Sequence, residues 1–215
     1  NGDTGIVSIS LSDPMPVSNK KFVPEKKTWN GPYRFQSQHK KTAPTWENRN
    51  YIEIGYYTDG LENGEWTYTE QTTALKIEDL QVSGLKYRIN PVLKSHKGNW
   101  RKGVRNGDWT YEVTENPTDN KQLVETLNYK FENGWLNGPI AYENKREHLK
   151  VSGQFVEGMM VGDWSWNYSD SVTEHRLYEK GVLISLETYT KTDTQQWMFP
   201  LSTRCLDALK SRDKT

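Results

Sequence analysis

Gly98-Asn-Trp-Arg-Lys-Gly-Val-Arg-Asn-Gly-Asp-Trp-Thr-Tyr111 decides the fold, because the chain says nearly the same thing three more times. Two further good copies are Gly55-Tyr-Tyr-Thr-Asp-Gly-Leu-Glu-Asn-Gly-Glu-Trp-Thr-Tyr68 and Gly153-Gln-Phe-Val-Glu-Gly-Met-Met-Val-Gly-Asp-Trp-Ser-Trp166. A looser copy is Tyr129-Lys-Phe-Glu-Asn-Gly-Trp-Leu-Asn-Gly-Pro-Ile-Ala-Tyr142, in which Tyr129 replaces the first glycine and Pro139-Ile140 the acid and the tryptophan. The shared pattern is Gly-x-aromatic-x-x-Gly-x-x-x-Gly-acid-Trp-x-aromatic. A repeat moves the first question from the position of an active site to what a row of similar units does.

Each copy reads as a β-hairpin. Aromatic and Thr-rich stretches flank Asp59-Gly60, Lys102-Gly103, Asn133-Gly134 and Glu157-Gly158. Asx-Gly pairs are strong turn signals because glycine accepts positive φ without a steric cost. A second glycine follows four positions later, at Gly64, Gly107, Gly138 and Gly162, so turns longer than two residues are expected. Side chains alternate along a strand, which puts Gly64, Trp66 and Tyr68 on one face and Gly55 with Tyr57 on one face of the preceding strand. A ring from one strand can then cover the bare glycine of its neighbour. The other copies repeat the alternation of glycine and ring. A lone hairpin is marginal in water, so stacked hairpins forming one long antiparallel sheet are expected.

Gly55 to Tyr68, Gly98 to Tyr111 and Gly153 to Trp166 closely resemble the MORN repeat, in particular its bacterial variant in YwqK-like proteins. The resemblance covers about half of the chain. It implies an elongated β-meander with a scaffold or partner-binding role in place of catalysis, and for the YwqK-like branch an antitoxin role. The spacing departs from the family period of about two dozen residues: equivalent glycines are 43, 31 and 24 residues apart (107−64, 138−107, 162−138). Residues 70–97 are therefore an insertion or an eroded repeat. Asn30-Gly31-Pro32-Tyr33 resembles the second half of an earlier unit and Glu179-Lys-Gly-Val-Leu183 the start of a later one, giving about six units with atypical ends.

Composition agrees with a sheet built on rings. The hydrophobic fraction is 33% and the mean hydropathy −0.91, yet there are nine Trp and twelve Tyr among 215 residues. That is poor in aliphatic core for a layered enzyme and too aromatic for disorder. The 28 basic residues balance the 28 acidic ones, which argues against a nucleic-acid binder. Lys20-Lys21, Lys26-Lys27 and Lys40-Lys41 make a local basic cluster, read as solvated surface or as a contact for an anionic partner. One cysteine, Cys205, excludes an internal disulfide and a cysteine-based zinc site. No apolar run is long enough for a membrane-spanning helix.

The expected fold is all-β: an elongated single-layer antiparallel meander with a short C-terminal helix. Residues 1–28 read as an extended N-terminal arm, 29–190 as the repeat domain and 191–215 as a helical cap or tail. Ser202 is a candidate N-cap there, with Cys205, Leu206 and Leu209 at helical spacing. Trp197, Met198 and Phe199 are apolar enough to dock on the sheet end.

The residues offer little chemistry. His39, His96, His148 and His175 are dispersed, without metal-ligand spacing, and read as surface or loop positions. No catalytic, cofactor-binding or metal residues are expected, and no cofactor. Glu65, Asp108 and Asp163 are the enzyme-like candidates, since paired carboxylates hydrolyse glycosides. They occupy one motif position, however, and catalytic pairs differ in role, so they are read as solvent-facing acids opposite the tryptophans. The recurrent rings would suit a sugar platform, but also form the folding motif itself. Trp135 stands after the turn where other copies carry Leu61, Val104 and Met159; with Trp46, Lys26 and Lys27 it is a candidate for partner contact.

The resulting expectation is a non-catalytic protein–protein interaction or scaffold module, a subunit of a larger bacterial assembly. Carbohydrate or cell-wall binding and a YwqK-like antitoxin role are the alternatives. Richness in Asn, Thr, Tyr and Trp and a first residue other than Met point to an exported protein, periplasmic or at the cell surface, with the cytoplasm as the alternative.

Overall fold

The computed structural model describes residues 21–23, 28–41, 46–81, 84–117, 121–168 and 171–198. Over these the chain is one open antiparallel sheet that runs back and forth in chain order. It opens with β1 (Lys21–Val23), β2 (Thr28–Lys41) and β3 (Glu47–Thr58). The return pass is split at Asn63 into β4 (Leu61–Glu62) and β5 (Gly64–Gln81). Then come β6 (Gly84–Arg101), β7 (Val104–Glu115) and β8 (Gln122–Glu132). Another pass is split at Asn137 into β9 (Trp135–Leu136) and β10 (Gly138–Asn144). The sheet closes with β11 (Leu149–Val156), β12 (Met159–Tyr168), β13 (Val172–Glu179), β14 (Val182–Thr190) and β15 (Thr194–Met198). No helix occurs among the described residues.

The turns are tighter than the sequence suggests. Thr58 pairs with Leu61, Arg101 with Val104, Glu132 with Trp135, Val156 with Met159 and Glu179 with Val182. Each loop is therefore two residues, not the longer loop expected. Both residues have positive φ, 51° and 80° at Asp59-Gly60 and 51° and 77° at Lys102-Gly103. This is the type I′ turn, whose backbone twist matches that of the strands it joins.

The second glycine of the motif belongs to a bulge. Lys97 pairs with Thr110 and Asn99 with Asn106, so Gly107, Asp108 and Trp109 all lie against the single residue Gly98. Gly162, Asp163 and Trp164 lie against Gly153 in the same way, between the pairs Ser152–Ser165 and Gln154–Val161. Gly64, Glu65 and Trp66 lie against Gly55, between the pair Ile54–Thr67 and the 2.9 Å bond from Asn63 N–H to the Tyr56 carbonyl. The extra residues re-aim the bulged strand, as bulges do, and bring the tryptophan over the opposing glycine. A Cβ built on Gly55, Gly98 or Gly153 would overlap the indole of Trp66, Trp109 or Trp164.

The third hairpin exchanges the volumes. Gly138, Pro139 and Ile140 lie against Tyr129, between the pair Asn128–Ala141 and the 2.9 Å bond from Asn137 N–H to the Lys130 carbonyl. Where the small residue becomes Tyr129, the large one becomes Ile140. In this copy the ring therefore stands on the other strand of the pair, at Tyr129, opposite the aliphatic Ile140.

A single sheet buries a tryptophan by surrounding it with other rings. Trp66 and Trp109 are 0% exposed and Trp164 3%. Trp66 has the rings of Tyr33, Tyr57 and Tyr68 at 5.6, 5.1 and 6.0 Å. Trp164 has Phe155, Trp166 and Tyr178 at 5.1, 5.4 and 6.2 Å. The indole N–H of all three tryptophans finds no acceptor among the described residues. Such an orphan costs about 1–3 kcal/mol. Burying about 150–250 Å² of ring contributes about 4–6 kcal/mol, so the ring position is net favourable.

Residues 70–97, read from sequence as an insertion or an eroded repeat, form the long arms of the β5–β6 hairpin, each strand 18 residues. The C-terminal reading changes. The cap placed over 191–215 begins instead as a strand, since Thr194–Met198 pair with Ser185 to Tyr189 of β14. Met198 and Trp197 are 64% and 42% exposed there, and Trp197 pairs with Leu186 instead of docking on the sheet end. The helix expected from Ser202, Cys205 and most of the extended arm expected over 1–28 lie outside the described residues.

Candidate interaction surface

The register divides the sheet into two unlike faces. One carries Tyr33, Trp66, His96, Trp109, Tyr129, Phe155 and Trp164. The other carries the acids Glu65, Asp108 and Asp163, all exposed, together with polar cross-strand pairs. Gln36 Nε2 donates to Asn50 Oδ1 at 3.2 Å, Gln38 Nε2 to Asn48 Oδ1 at 3.1 Å, and Lys97 Nζ pairs with Glu65 at 2.9 Å. The acids thus stand on separate strands facing solvent, each opposite its tryptophan.

The ring face is packed, not open. Its densest part centres on His96, whose ring lies 5.0 Å from Trp109, 6.1 Å from Tyr68 and 5.9 Å from Tyr129. His96 Nε2 meets the Tyr129 hydroxyl. Burial, with the Arg105 charge nearby, pushes its pKa down to about 4, so the imidazole is neutral at pH 7. The Arg105 guanidinium lies over Trp100, Trp109 and Phe131 at 5.5, 5.0 and 5.5 Å from their centres. Burial raises the Tyr129 and Tyr33 hydroxyls to about 12, with Glu53 adding to the rise at Tyr33. His96 is therefore not the surface histidine expected from its sequence; its environment comes from β5, β7 and β8, which the local sequence does not name. His39, His148 and His175 are exposed. Trp66, Trp109 and Trp164 lie too deep for a sugar to stack on.

What stays open is the edge of the sheet where the five tight turns stand. They recur on every second strand, so they are about 9.5 Å apart. Hydrogen bonds tie each to the unit before it. Gly60 N–H donates to the Trp29 carbonyl, Gly103 to Glu62, Gly134 to Arg105, Gly158 to Leu136 and Gly181 to Met160, all at 2.8–2.9 Å. The residue after each turn points to the polar face: Leu61, Val104, Trp135, Met159 and Val182. A Cβ on Gly103, Gly134 or Gly158 would meet Leu61, Val104 or Trp135, so each side chain lies over the next turn. The result is a continuous apolar row with exposed members, Trp135 the most exposed at 64%. Tyr56 and Val156 of the same face stand beside it, also exposed.

Of the contact candidates from sequence, Trp135 sits at the centre of this row. Trp46, 41% exposed, precedes β3 and is not brought to it. Lys26 and Lys27 lie outside the described residues. Leu61 and Val104 were legible only as copies of one motif position; that those positions line up in space follows from the turn-to-turn bonds. Among the described residues no three His, Cys, Asp or Glu side chains come together as a metal site, and no helix is long and apolar enough to cross a membrane. Neither the known protein-family models nor the curated proteins contain a match to this chain, so the motif resemblance stands on its own residues.

Proposed function

We propose that this chain is a non-catalytic interaction module of MORN-like hairpins, a scaffold subunit that presents its turn edge to a protein partner within a larger bacterial assembly. One observation carries the reading: in the apolar row at the edge of the polar face Leu61, Val104 and Trp135 are exposed and Met159 and Val182 half-buried, while the tryptophans of the repeat are buried among other rings. Exposed contiguous apolar rows flanked by polar side chains mark interaction sites, and Trp is over-represented among the residues that dominate such contacts. The equivalence of Glu65, Asp108 and Asp163 favours this reading over hydrolysis, because they stand exposed on separate strands at the same motif position.

The test is quantitative affinity capture from extracts of the source cells, with the natural chain and with Trp135→Ala side by side. A protein retained by the natural chain and lost with the variant supports the reading. Equal recovery with both removes the turn edge as the contact.

A further inference from the structure

Along the turn edge, the first residue of each tight turn reads Asp59, Lys102, Asn133, Glu157, Lys180. In charge this is minus, plus, neutral, minus, plus. Read backwards it is plus, minus, neutral, plus, minus, the opposite sign at every charged position. The turns are evenly spaced in the sheet although they are 43, 31, 24 and 23 residues apart in the chain, as differences between Gly60, Gly103, Gly134, Gly158 and Gly181. An antiparallel copy of the edge therefore falls in register with it.

We propose that the turn edge is self-complementary and docks a second copy of this chain about a two-fold axis at Trp135. This deepens, and rests on, the reading of that edge as an interaction surface. In the pairing Trp135 meets Trp135 of the other copy and Val104 meets Met159. Lys102 faces Glu157 on both sides of the axis, and Asp59 faces Lys180 further out. An isologous contact of this kind closes on itself and leaves no open ends. Stacking the same edges in parallel would set Asp59 on Asp59 and Lys102 on Lys102.

Size and twist set the strength. Four steps of about 9.5 Å make a row about 38 Å long. At a width of roughly 12 Å two copies bury about 900 Å² in total, below the usual size for a stable interface. Strands also rotate by about 20–25° from one to the next, so the two edges diverge away from the axis. The Trp135 contact and the inner Lys102–Glu157 pairs carry the association, and the outer pairs add little. Glu132 beside Trp135 meets its own copy across the axis, where Asn137 Nδ2 donates to its carboxylate, and Glu179 beside Lys180 weakens the outer Asp59 pair. The complex is a weak, salt-sensitive dimer.

Sedimentation velocity from about 1 to 500 µM, at low and high salt, reads it directly. The natural chain shifts from monomer to dimer across this range. Trp135→Ala, Lys102→Glu and Glu157→Lys each weaken association tenfold or more, with unchanged circular dichroism. Mixing the Lys102→Glu chain with the Glu157→Lys chain restores it to within about threefold, because each copy then meets an opposite charge at both inner positions. A chain that is monomeric throughout, or a mixture no better than either variant alone, overturns the proposal. A monomer that still captures another protein through Trp135 overturns only the self-docking and leaves the interaction-module reading in place.

Discussion

The indole of Trp66 lies over Gly55 on the neighbouring strand, and even one added methyl group would overlap the ring. The same relationship joins Trp109 to Gly98 and Trp164 to Gly153. It makes the opposing glycines sensitive to volume and the bulge glycines sensitive to backbone angle, two effects that can be separated. Gly98→Ala should cost about 3 kcal/mol, the upper part of the usual overpacking range, because the ring below it is boxed in. Gly64 has open space around its Cα and φ of +74°, so Gly64→Ala should cost only about 1 kcal/mol, from backbone strain. Denaturant unfolding followed by Trp fluorescence compares the two; equal costs would mean that the ring does not need the glycine.

Tyr129 and Ile140 should behave as a coupled pair. Ile140→Trp alone forces two large rings into one site, and Tyr129→Gly alone leaves a hole over Ile140. The double variant rebuilds the pattern of the other copies. Its destabilisation should fall short of the sum of the two singles by about 1–3 kcal/mol, the coupling of residues in contact. Additive costs in a double-mutant cycle would show that the third hairpin is not a volume exchange.

His96 gives the fold a defined sensitivity to acid. Its pKa is lowered from 6.5 to about 4 in the folded state, first by burial and then by Arg105. The unfolded chain therefore takes up a proton that the folded chain refuses. The contribution of the neutral ring is fully present above pH 6.5, falls as pH drops below it and is gone near pH 4. His96 is only partly buried, so the loss is on the order of 1–2 kcal/mol after allowance for solvent screening. The melting temperature between pH 7 and pH 4 should drop less for His96→Gln than for the natural chain. Parallel curves would mean that other groups carry the whole effect.

Arg105 sits on three rings of the packed face. Arg105→Ala removes cation–π contacts and the cover over Trp109, and should cost about 1–2 kcal/mol. Arg105→Lys should recover only part of this, since an ammonium cannot lie flat on the rings. A red-shifted Trp emission in Arg105→Ala, reporting water at Trp109, is the accompanying signal; an unshifted spectrum would count against the stacking.

Trp135 and Trp109 are the same amino acid in opposite roles. Trp109→Ala empties a fully buried site and should cost about 3–5 kcal/mol. Trp135→Ala removes a 64% exposed ring that touches the next turn, and should change stability by no more than about 0.5 kcal/mol. Thermal melts of the two variants check the contrast directly. A large loss in Trp135→Ala would make that ring structural and weaken its assignment to an interface.

Much of this was legible in the chain. Asp59-Gly60, Lys102-Gly103, Asn133-Gly134 and Glu157-Gly158 marked the turns, and strand parity put Trp66, Trp109 and Trp164 on one face with the acids opposite. Parity could not give the turn length. Gly64 and its equivalents looked like turn residues because positive φ serves a turn and a bulge alike, and only strand pairing tells them apart. His96 looked like one of four scattered histidines because its burial comes from Trp109, Tyr111 and Tyr129 on other strands. Thr194–Met198 was read as part of the C-terminal cap or tail because Thr-Gln-Gln-Trp-Met has no alternation of its own; its strand is set by pairing with β14.

The sequence by itself determined that the chain is a row of antiparallel hairpins built on rings and glycines. Those are local properties: φ preference, alternation and side-chain volume. Only the tertiary structure decided that the turns stand in one evenly spaced row. Their separations in the chain are unequal, but excess residues are taken up as strand length at the far ends of the hairpins, while each turn glycine is bonded to the unit before it. Backbone pairing fixes spacing by strand count, not by residue count, and that is what brings Leu61, Val104 and Trp135 side by side.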